Sequence, residues 1–295
     1  MATVKKKQIG RQTYYYLEHT FRHNGKIQKK ERYLGKKVPE NIDELKNAFF
    51  VEIYKEKWYP LFGRIKELYS TEKRLMPKTA KEKAIHDFAI RFTYDTNRIE
   101  GSKLTLRDTA DLLEKGLTPK AKPLDDVKEA EAHEKLFYDM LTSKKDLSLQ
   151  IVLYWHKFLF ENTKSDIAGI IRQHQVAIAG SKFMPPFTAE IYPLLCEFFK
   201  WYSKNKDKIH PVELAALVHI KFVTIHPFTD GNGRLSRLMM NFVLHKYDFP
   251  LLNIHYVNRT GYYNALERAQ IKKQDNLFVQ WLFRRYVKEY GRYLK

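Results

Sequence analysis

From Ile42 to the C-terminus, apolar residues recur at the three- and four-residue spacing of helix faces, and that rhythm restricts the chain to a mainly helical fold. Leu45, Phe49, Ile53 and Trp58 mark one helix, and Leu61, Ile65 and Leu68 continue it past Pro60. A long helix over about 79–99 carries Ile85, Phe88, Ala89, Phe92 and Ile99, with Gly101 placed to end it. Thr105 with Asp108 three residues on predicts a capping box for a helix through Leu113. Further helices are expected near 126–141, 148–162, 188–204, 211–225, 234–247, 260–271 and 275–293.

Two stretches break this rhythm. "YYYLEHTFRHNGKIQKKERYLG" places β-prone runs on either side of Asn24-Gly25, a two-residue hairpin signal. "QHQVAIAGSKFMPPF", residues 173–187, alternates small apolar residues, turns at Gly180-Ser181 and stops at Pro185-Pro186, which predicts a short hairpin on a helical body. The fold expected is therefore mainly α with two small β excursions. Three regions follow: a basic hairpin arm over 1–38, a helical region over 39–125, and a core over 126–295.

Charge narrows the partners. The chain carries 53 Lys+Arg against 34 Asp+Glu, a net of +19, which suits nucleotide phosphates, nucleic acid or acidic proteins. Residues 1–40 hold eleven Lys+Arg and three acids, a net of +8. Interleaved with Tyr14, Tyr15, Tyr16 and Tyr33, these cations could contact nucleic acid. The same pattern suits a hairpin with one face packed and the other basic and solvated. The single cysteine, Cys196, excludes an internal disulfide framework and falls among Ile191, Leu194, Leu195, Phe198 and Phe199, where core packing is expected. No run reaches the roughly 18 apolar residues of a spanning helix, so a soluble, cytoplasmic protein without a membrane partner is expected.

The chemistry is concentrated in "HPFTDGNGRLSR", residues 226–237, between the apolar helical stretches LAALVHIKFVTI and LMMNFVLHKY. His226 precedes a proline, which ends the preceding helix at the histidine and presents an imidazole suited to proton transfer. Phe228 is read as the anchor of the loop. Asp230 is a lone carboxylate, and one carboxylate plus substrate phosphates suffices for Mg2+. Gly231-Asn232-Gly233 brings backbone N–H groups close to a ligand at a helix N-terminus, which favours anions. Arg234 and Arg237 are three apart, on one helix face, and can fork onto phosphate oxygens. Together these predict a polyphosphate cradle with a metal and a base beside it.

The segment resembles the signature of the Fic family, His-x-Phe-x-(Asp/Glu)-Gly-Asn-Gly-Arg-x-x-Arg, and all eight specified positions match. Ala168-Gly169 with Arg172 and the stretch after it is similar to the family's flap, and "RTGYYNALERAQ" resembles the segment lining the adenine side of its pocket. The resemblance covers about residues 90–290. It implies a Fic-type helical bundle with a small flap, and a protein adenylyltransferase that moves AMP from ATP to a Tyr, Thr or Ser hydroxyl of a target protein.

By position, the resemblance makes His226 the general base, puts Mg2+ on Asp230, and gives Gly231, Asn232 and Gly233 the α-phosphate. Arg234 would take the β-phosphate and Arg237 the γ-phosphate. Ile178, Ala179, Gly180 and Ser181 would border the nucleotide and align the target by strand addition, and Tyr262 and Gln270 would lie near adenine and ribose. "TNRIEG", residues 96–101, resembles the family's inhibitory motif, on the helix of about 79–101. Thr96 and Glu100 share a helix face, and Glu100 would pair with Arg237 to block the γ-phosphate. Alternatives within the same pocket are removal of AMP and phosphotransfer, though Gly231 and Gly233 argue against the phosphotransferase pattern. Outside it, the basic arm suggests a nucleic-acid-binding regulator. A second copy of the chain is a further candidate partner.

Overall fold

The computed structural model describes residues 2–23 and 26–295. Two compact units are separated between Ile65 and Lys66, inside helix α2 (Tyr59–Leu75).

The first unit holds a three-stranded antiparallel sheet and a helix. Strands β1 (Thr3–Ile9), β2 (Gln12–His23) and β3 (Lys26–Gly35) lie in sequence order, with Thr3 opposite Glu18, Ile9 opposite Gln12, and His23 opposite Lys26. The expected hairpin thus gains a strand: the basic run from Thr3 folds back through Gly10, whose φ of +60° suits the tight turn. The predicted turn residues Asn24 and Gly25 lie outside the described residues. On the inward face, Leu17 is buried and His19 meets the Phe50 ring of α1 (Ile42–Lys57) at 5.4 Å. Part of the sheet's positive charge is answered locally. Lys7 pairs with Glu31, Lys29 with Glu18 and Glu31, Lys30 with Glu56, and Arg32 with Glu52.

The second unit is helical. Its centre is the antiparallel pair α8 (Pro211–Ile225) and α9 (Asn232–Lys246), in which nearly every side chain is buried. Pro211 at the first turn and the His210 imidazole, accepting from Val212 N–H, start α8 where the sequence predicts. Around this pair lie α3 (Lys78–Ile99), α5 (Leu124–Thr142), α6 (Leu149–Phe160), α7 (Thr188–Asn205), α10 (Arg259–Ile271) and α11 (Asp275–Glu289). The capping box forms: Thr105 Oγ1 accepts from Asp108 N–H, Asp108 accepts from Thr105 N–H, and α4 (Leu106–Lys115) ends at Gly116 in the left-handed region. Asp95 of α3 accepts from the Tyr256 N–H and from Asn253 and His255, tying the helix to the segment before α10.

Two expectations are corrected. No strand forms over 173–187, because prolines at 185 and 186 lack N–H groups and side chains take up the backbone instead. Cys196 is exposed: Ile191, Leu195, Phe198 and Tyr202 set the buried face of α7, and residue 196 falls off it. Among the described residues, no helix is long and apolar enough to cross a membrane.

Candidate active site

The α8–α9 connection is built around its own side chains. His226 closes α8 with φ +52°, so the helix reverses at the histidine itself. Its Nδ1 lies 3.2 Å from the Val223 carbonyl, which accepts a hydrogen bond when Nδ1 carries the proton. The Nε2 lone pair then remains to accept a proton. Burial, reinforced by nearby Arg172, pushes the His226 pKa down, so the ring is neutral at pH 7.

Asn232 clamps the loop: its Oδ1 accepts from Phe228 N–H at 3.0 Å and its Nδ2 donates to Phe228 O at 2.8 Å. Phe228 stacks on His156 with ring centroids 3.8 Å apart. His156 Nδ1 accepts from Gly169 N–H at 2.8 Å, so the proton sits on Nε2 and is donated to Asp230 O at 3.1 Å. Burial holds this imidazole at about 4, hence neutral. Arg172 performs the matching task for the segment over 173–187. It donates from Nε to His226 O, from one terminal nitrogen to His174 O and from the other to Pro186 O. One guanidinium therefore fixes both ends of that segment against the histidine.

Gly231 and Gly233 are needed for room. At Gly231, with φ +81°, a Cβ would come within 2.5 Å of Phe160 Cε2. At Gly233 it would collide with Glu100 Oε1. The Glu100 carboxylate thus lies against the opening turn of α9, the position a helix N-terminus offers to an anion.

Glu100 reaches it from the C-terminal end of α3. Tyr263 donates to Ile99 O at 2.8 Å and pins that end. Arg237, wholly buried, donates to Glu100 Oε1 at 2.6 Å, to Thr96 Oγ1 at 3.0 Å, to Thr96 O at 3.1 Å and to the Tyr262 hydroxyl at 3.2 Å. Arg234 is engaged elsewhere. It pairs with Glu129 of α5, with Asp230 Oδ1 at 3.1 Å and with Asn97 Oδ1 at 3.4 Å. Desolvation would raise the Asp230 pKa. The Arg234 charge, the Lys164 hydrogen bond and the Gly231 N–H outweigh it and hold the carboxylate at about 2.

The predicted residues therefore gather in part. His226, Asp230, the two glycines, both arginines, Glu100 and Thr96 converge on the loop. Asn232 spends its side chain inside the loop rather than presenting it. Tyr262 is buried, with its hydroxyl between Arg237 and His219, so it supports the arginine. Gln270 is buried and donates to Thr224 Oγ1 at 3.3 Å. Ile178 and Ser181 are half-buried, while Ala179 and Gly180 are exposed. Ser181 N–H donates to Ile178 O, and Glu267 accepts from both Ser181 Oγ and Lys182 N–H.

Sequence reasoning missed Glu129, Lys164 and His156. A signal existed for Glu129: it shares the apolar face of α5 with His133, Leu136 and Met140, and an acid on such a stripe needs a buried partner. For a divalent cation, Asp230 is the fitting ligand: it is ionised, beside the anion-binding helix start, and Mg2+ needs few protein carboxylates when phosphates supply the rest. Among the described residues, no three His, Cys, Asp or Glu side chains are arranged so that they could hold a metal ion together.

Residues 146–244 match the Fic/DOC family. Over that stretch the chain is similar to a Fic domain. Curated relatives agree. The protein named Protein adenylyltransferase Fic from Drosophila ananassae is 33% identical over 180 residues, covering 60% of this chain and 36% of that protein. Its namesake from Nematostella vectensis is 31% identical over 193 residues, covering 64% of this chain and 45% of that protein. The chain thus spans less than half the length of these relatives. Among solved structures, a Fic domain containing signaling protein from Bacteroides thetaiotaomicron superposes with a TM-score of 0.70 at 29% identity, over 79% of this chain and 96% of that one. Fic-1 of C. elegans, residues 134–508, superposes with a TM-score of 0.69 at 26% identity, covering 87% and 77%. The Fic match includes the whole α8–α9 loop but stops short of Glu100, Glu129 and Tyr262, which lie outside residues 146–244.

Proposed function

We propose that the chain is a cytoplasmic protein adenylyltransferase that moves AMP from ATP to a Tyr, Thr or Ser hydroxyl of a target protein, and that Glu100 holds it inactive at rest. The 1–38 arm, the 39–125 region with its inhibitory helix and the 126–295 core are the parts assigned to this task.

His226 Nε2 takes the proton of the target hydroxyl as its oxygen attacks the α-phosphorus. A bond forms between that oxygen and phosphorus, the bond from phosphorus to the β-phosphate bridging oxygen breaks, and pyrophosphate leaves. Backbone N–H groups at Gly231–Gly233 meet the charge that develops on the α-phosphate. Asp230 is the residue that would hold Mg2+, which when bound supplies neutralisation of phosphate charge. Arg234 supports the β-phosphate, and Arg237 exchanges Glu100 for the γ-phosphate. The exposed Ala179-Gly180 edge lies free to align a target segment through its main chain.

The observation that carries this reading is the Glu100 carboxylate at 2.6 Å from Arg237, against Gly233. A built-in anion occupies the helix start where a nucleotide phosphate belongs. Incubation with ATP labelled at the α- or the γ-phosphate, followed by gel autoradiography, tests it. Label from the α position alone is expected; label from the γ position alone would make the protein a phosphotransferase instead.

A further inference from the structure

The Lys164 ammonium sits on the one carboxylate assigned to a metal. It follows α6, donates to Asp230 Oδ2 at 2.6 Å, and stands 3.1 Å from Glu129 Oε1. Its Nζ stands over the Phe160 ring, 5.0 Å from the centroid. The other oxygen, Oδ1, is already taken by Gly231 N–H and by Arg234. Three donors of the protein itself thus engage the Asp230 carboxylate, two on Oδ1 and one on Oδ2. A cation approaching Oδ2 meets a positive charge at hydrogen-bond distance.

The same ammonium has somewhere else to go. Glu129 Oε1 is within ion-pair distance now, and Glu129 Oε2 is the oxygen that holds Arg234. Lys164 can give up Asp230 while keeping Glu129, by turning its terminal methylenes. Beside these groups lies a cavity of about 290 Å3 in which Glu100, Asp125, Asp126, Glu129 and Asp230 face the cations of Lys164 and Arg234. Five carboxylates against two cations give that cavity the sign that draws a hydrated divalent cation towards Oδ2.

We infer that Lys164 is a resident cation of the Asp230 site, which a divalent metal displaces onto Glu129, so that Lys164 sets the metal concentration at which the site loads. This rests on the adenylyltransferase reading only for the purpose of the site; the competition itself is a property of the three side chains. Lys164 is a positioning residue, and it touches no reacting atom.

Two titrations on the full chain test it. In the first, Mn2+ alone is added to wild type, Lys164→Met and Lys164→Arg, and the free ion is followed by electron paramagnetic resonance. Methionine is unbranched and of similar length without the charge, and the 37% exposure of the side chain makes a folding failure unexpected. Lys164→Met is expected to retain Mn2+ at a concentration about 3- to 10-fold lower than wild type, with Lys164→Arg no better than wild type. Equal retention by Lys164→Met and wild type, or a gain by Lys164→Arg equal to that of the methionine variant, overturns the inference. In the second, the Mg2+ concentration giving half of the melting-temperature gain is measured with AMP-PNP, and it is expected to fall for Lys164→Met. Weaker AMP-PNP binding by Lys164→Met in EDTA would instead make the ammonium a phosphate ligand and overturn the displacement. If AMP-PNP stabilises no form at any Mg2+ concentration, the adenylyltransferase reading fails, while the Mn2+ arm still decides on Lys164.

Discussion

Replacing Glu100 by glycine separates regulation from architecture, and the structure sets the size of both effects. Arg237 is fully buried and Glu100 keeps 26% of its side chain exposed. Removing one partner of a fully enclosed ion pair costs about 3–5 kcal/mol. Here the arginine keeps the Thr96 hydroxyl, the Thr96 carbonyl and the Tyr262 hydroxyl. With three acceptors left and a partly solvated carboxylate lost, the cost falls to about 1–3 kcal/mol. For a chain of this size that lowers the melting temperature by about 2–12 °C. Mg·ATP should restore it, since a ligand at a hundred times its Kd contributes about 2.7 kcal/mol. Autoradiography with α-labelled ATP should show more label than wild type, because the carboxylate no longer competes for Arg237. Glu100→Gln, which keeps a hydrogen bond without the charge, should give an intermediate gain. A melt that drops and is not rescued by Mg·ATP, together with unchanged labelling in both variants, would refute the argument and leave Glu100 a structural residue.

His226→Ala should fold normally and lose α-label by about 10²- to 10⁴-fold, the usual cost of a positioned base; retained labelling would remove the histidine from the chemistry. Because burial lowers the folded pKa of His226 below 6.5, labelling should stay high through pH 7 and fall only once the pH drops below 6.5. His255 gives the opposite sign in stability. Hydrogen bonds to Asp95 and Glu289 outweigh desolvation and raise its folded pKa to about 9, so its contribution is full below about 6.5 and is lost as pH rises through 9. His255→Ala should flatten the fall of melting temperature over that window, and an unchanged slope counts against the pairing. Gly231→Ala combines a positive φ with a methyl against Phe160 and should cost about 2–4 kcal/mol in urea unfolding. Gly63→Ala, in open space on helix α2, should be neutral or slightly stabilising by the same measurement.

What was legible in the sequence is what depends on neighbours in the chain. The Thr105–Asp108 box spans three residues and forms as read. The 226–237 loop carries its base, carboxylate and arginines in one contiguous stretch, so its composition announced it. Helix α8 begins and ends where Pro211 and His226 say. The parts that escaped are set by partners far along the chain. Arg234 and Glu129 are 105 residues apart, and Lys164 and Asp230 are 66 apart. No local period marks such pairs. β1 escaped for a different reason: its burial alternates weakly, and Lys5 and Lys6 are exposed, so the run reads as a charged tail until a partner strand is found. The segment over 173–187 failed as a hairpin because alternation describes where side chains point and says nothing of who satisfies the backbone. Arg172, Gln175 and Glu267 take up backbone groups there that a ladder would have used.

The two arginines of the loop now have distinct reasons to exist. Arg234 is held by Glu129 and Asp230, and Asp230 is in turn held by Lys164 and Gly231, so no single departure frees it. That is the arrangement of a group that must stay in place whatever is bound. Arg237 has one anionic partner, at the end of a helix, beside a cavity, with the rest of its hydrogen bonds going to neutral oxygens. An arginine so placed keeps its position when the anion leaves and keeps its charge unanswered until another anion arrives. Spacing of three residues puts both guanidiniums on one face of α9, yet their anionic partners differ: Glu129 of α5 and Asp230 of the loop for Arg234, Glu100 at the end of α3 for Arg237. Under the proposed inhibitory role of Glu100, relief of the loop would pass through α3. Asp95, Asn253 and His255 anchor α3 on one side and Tyr263 pins its end on the other, so loosening either contact would reach Arg237 through Thr96 and Glu100, while Arg234 would lose at most its Asn97 contact and keep Glu129 and Asp230.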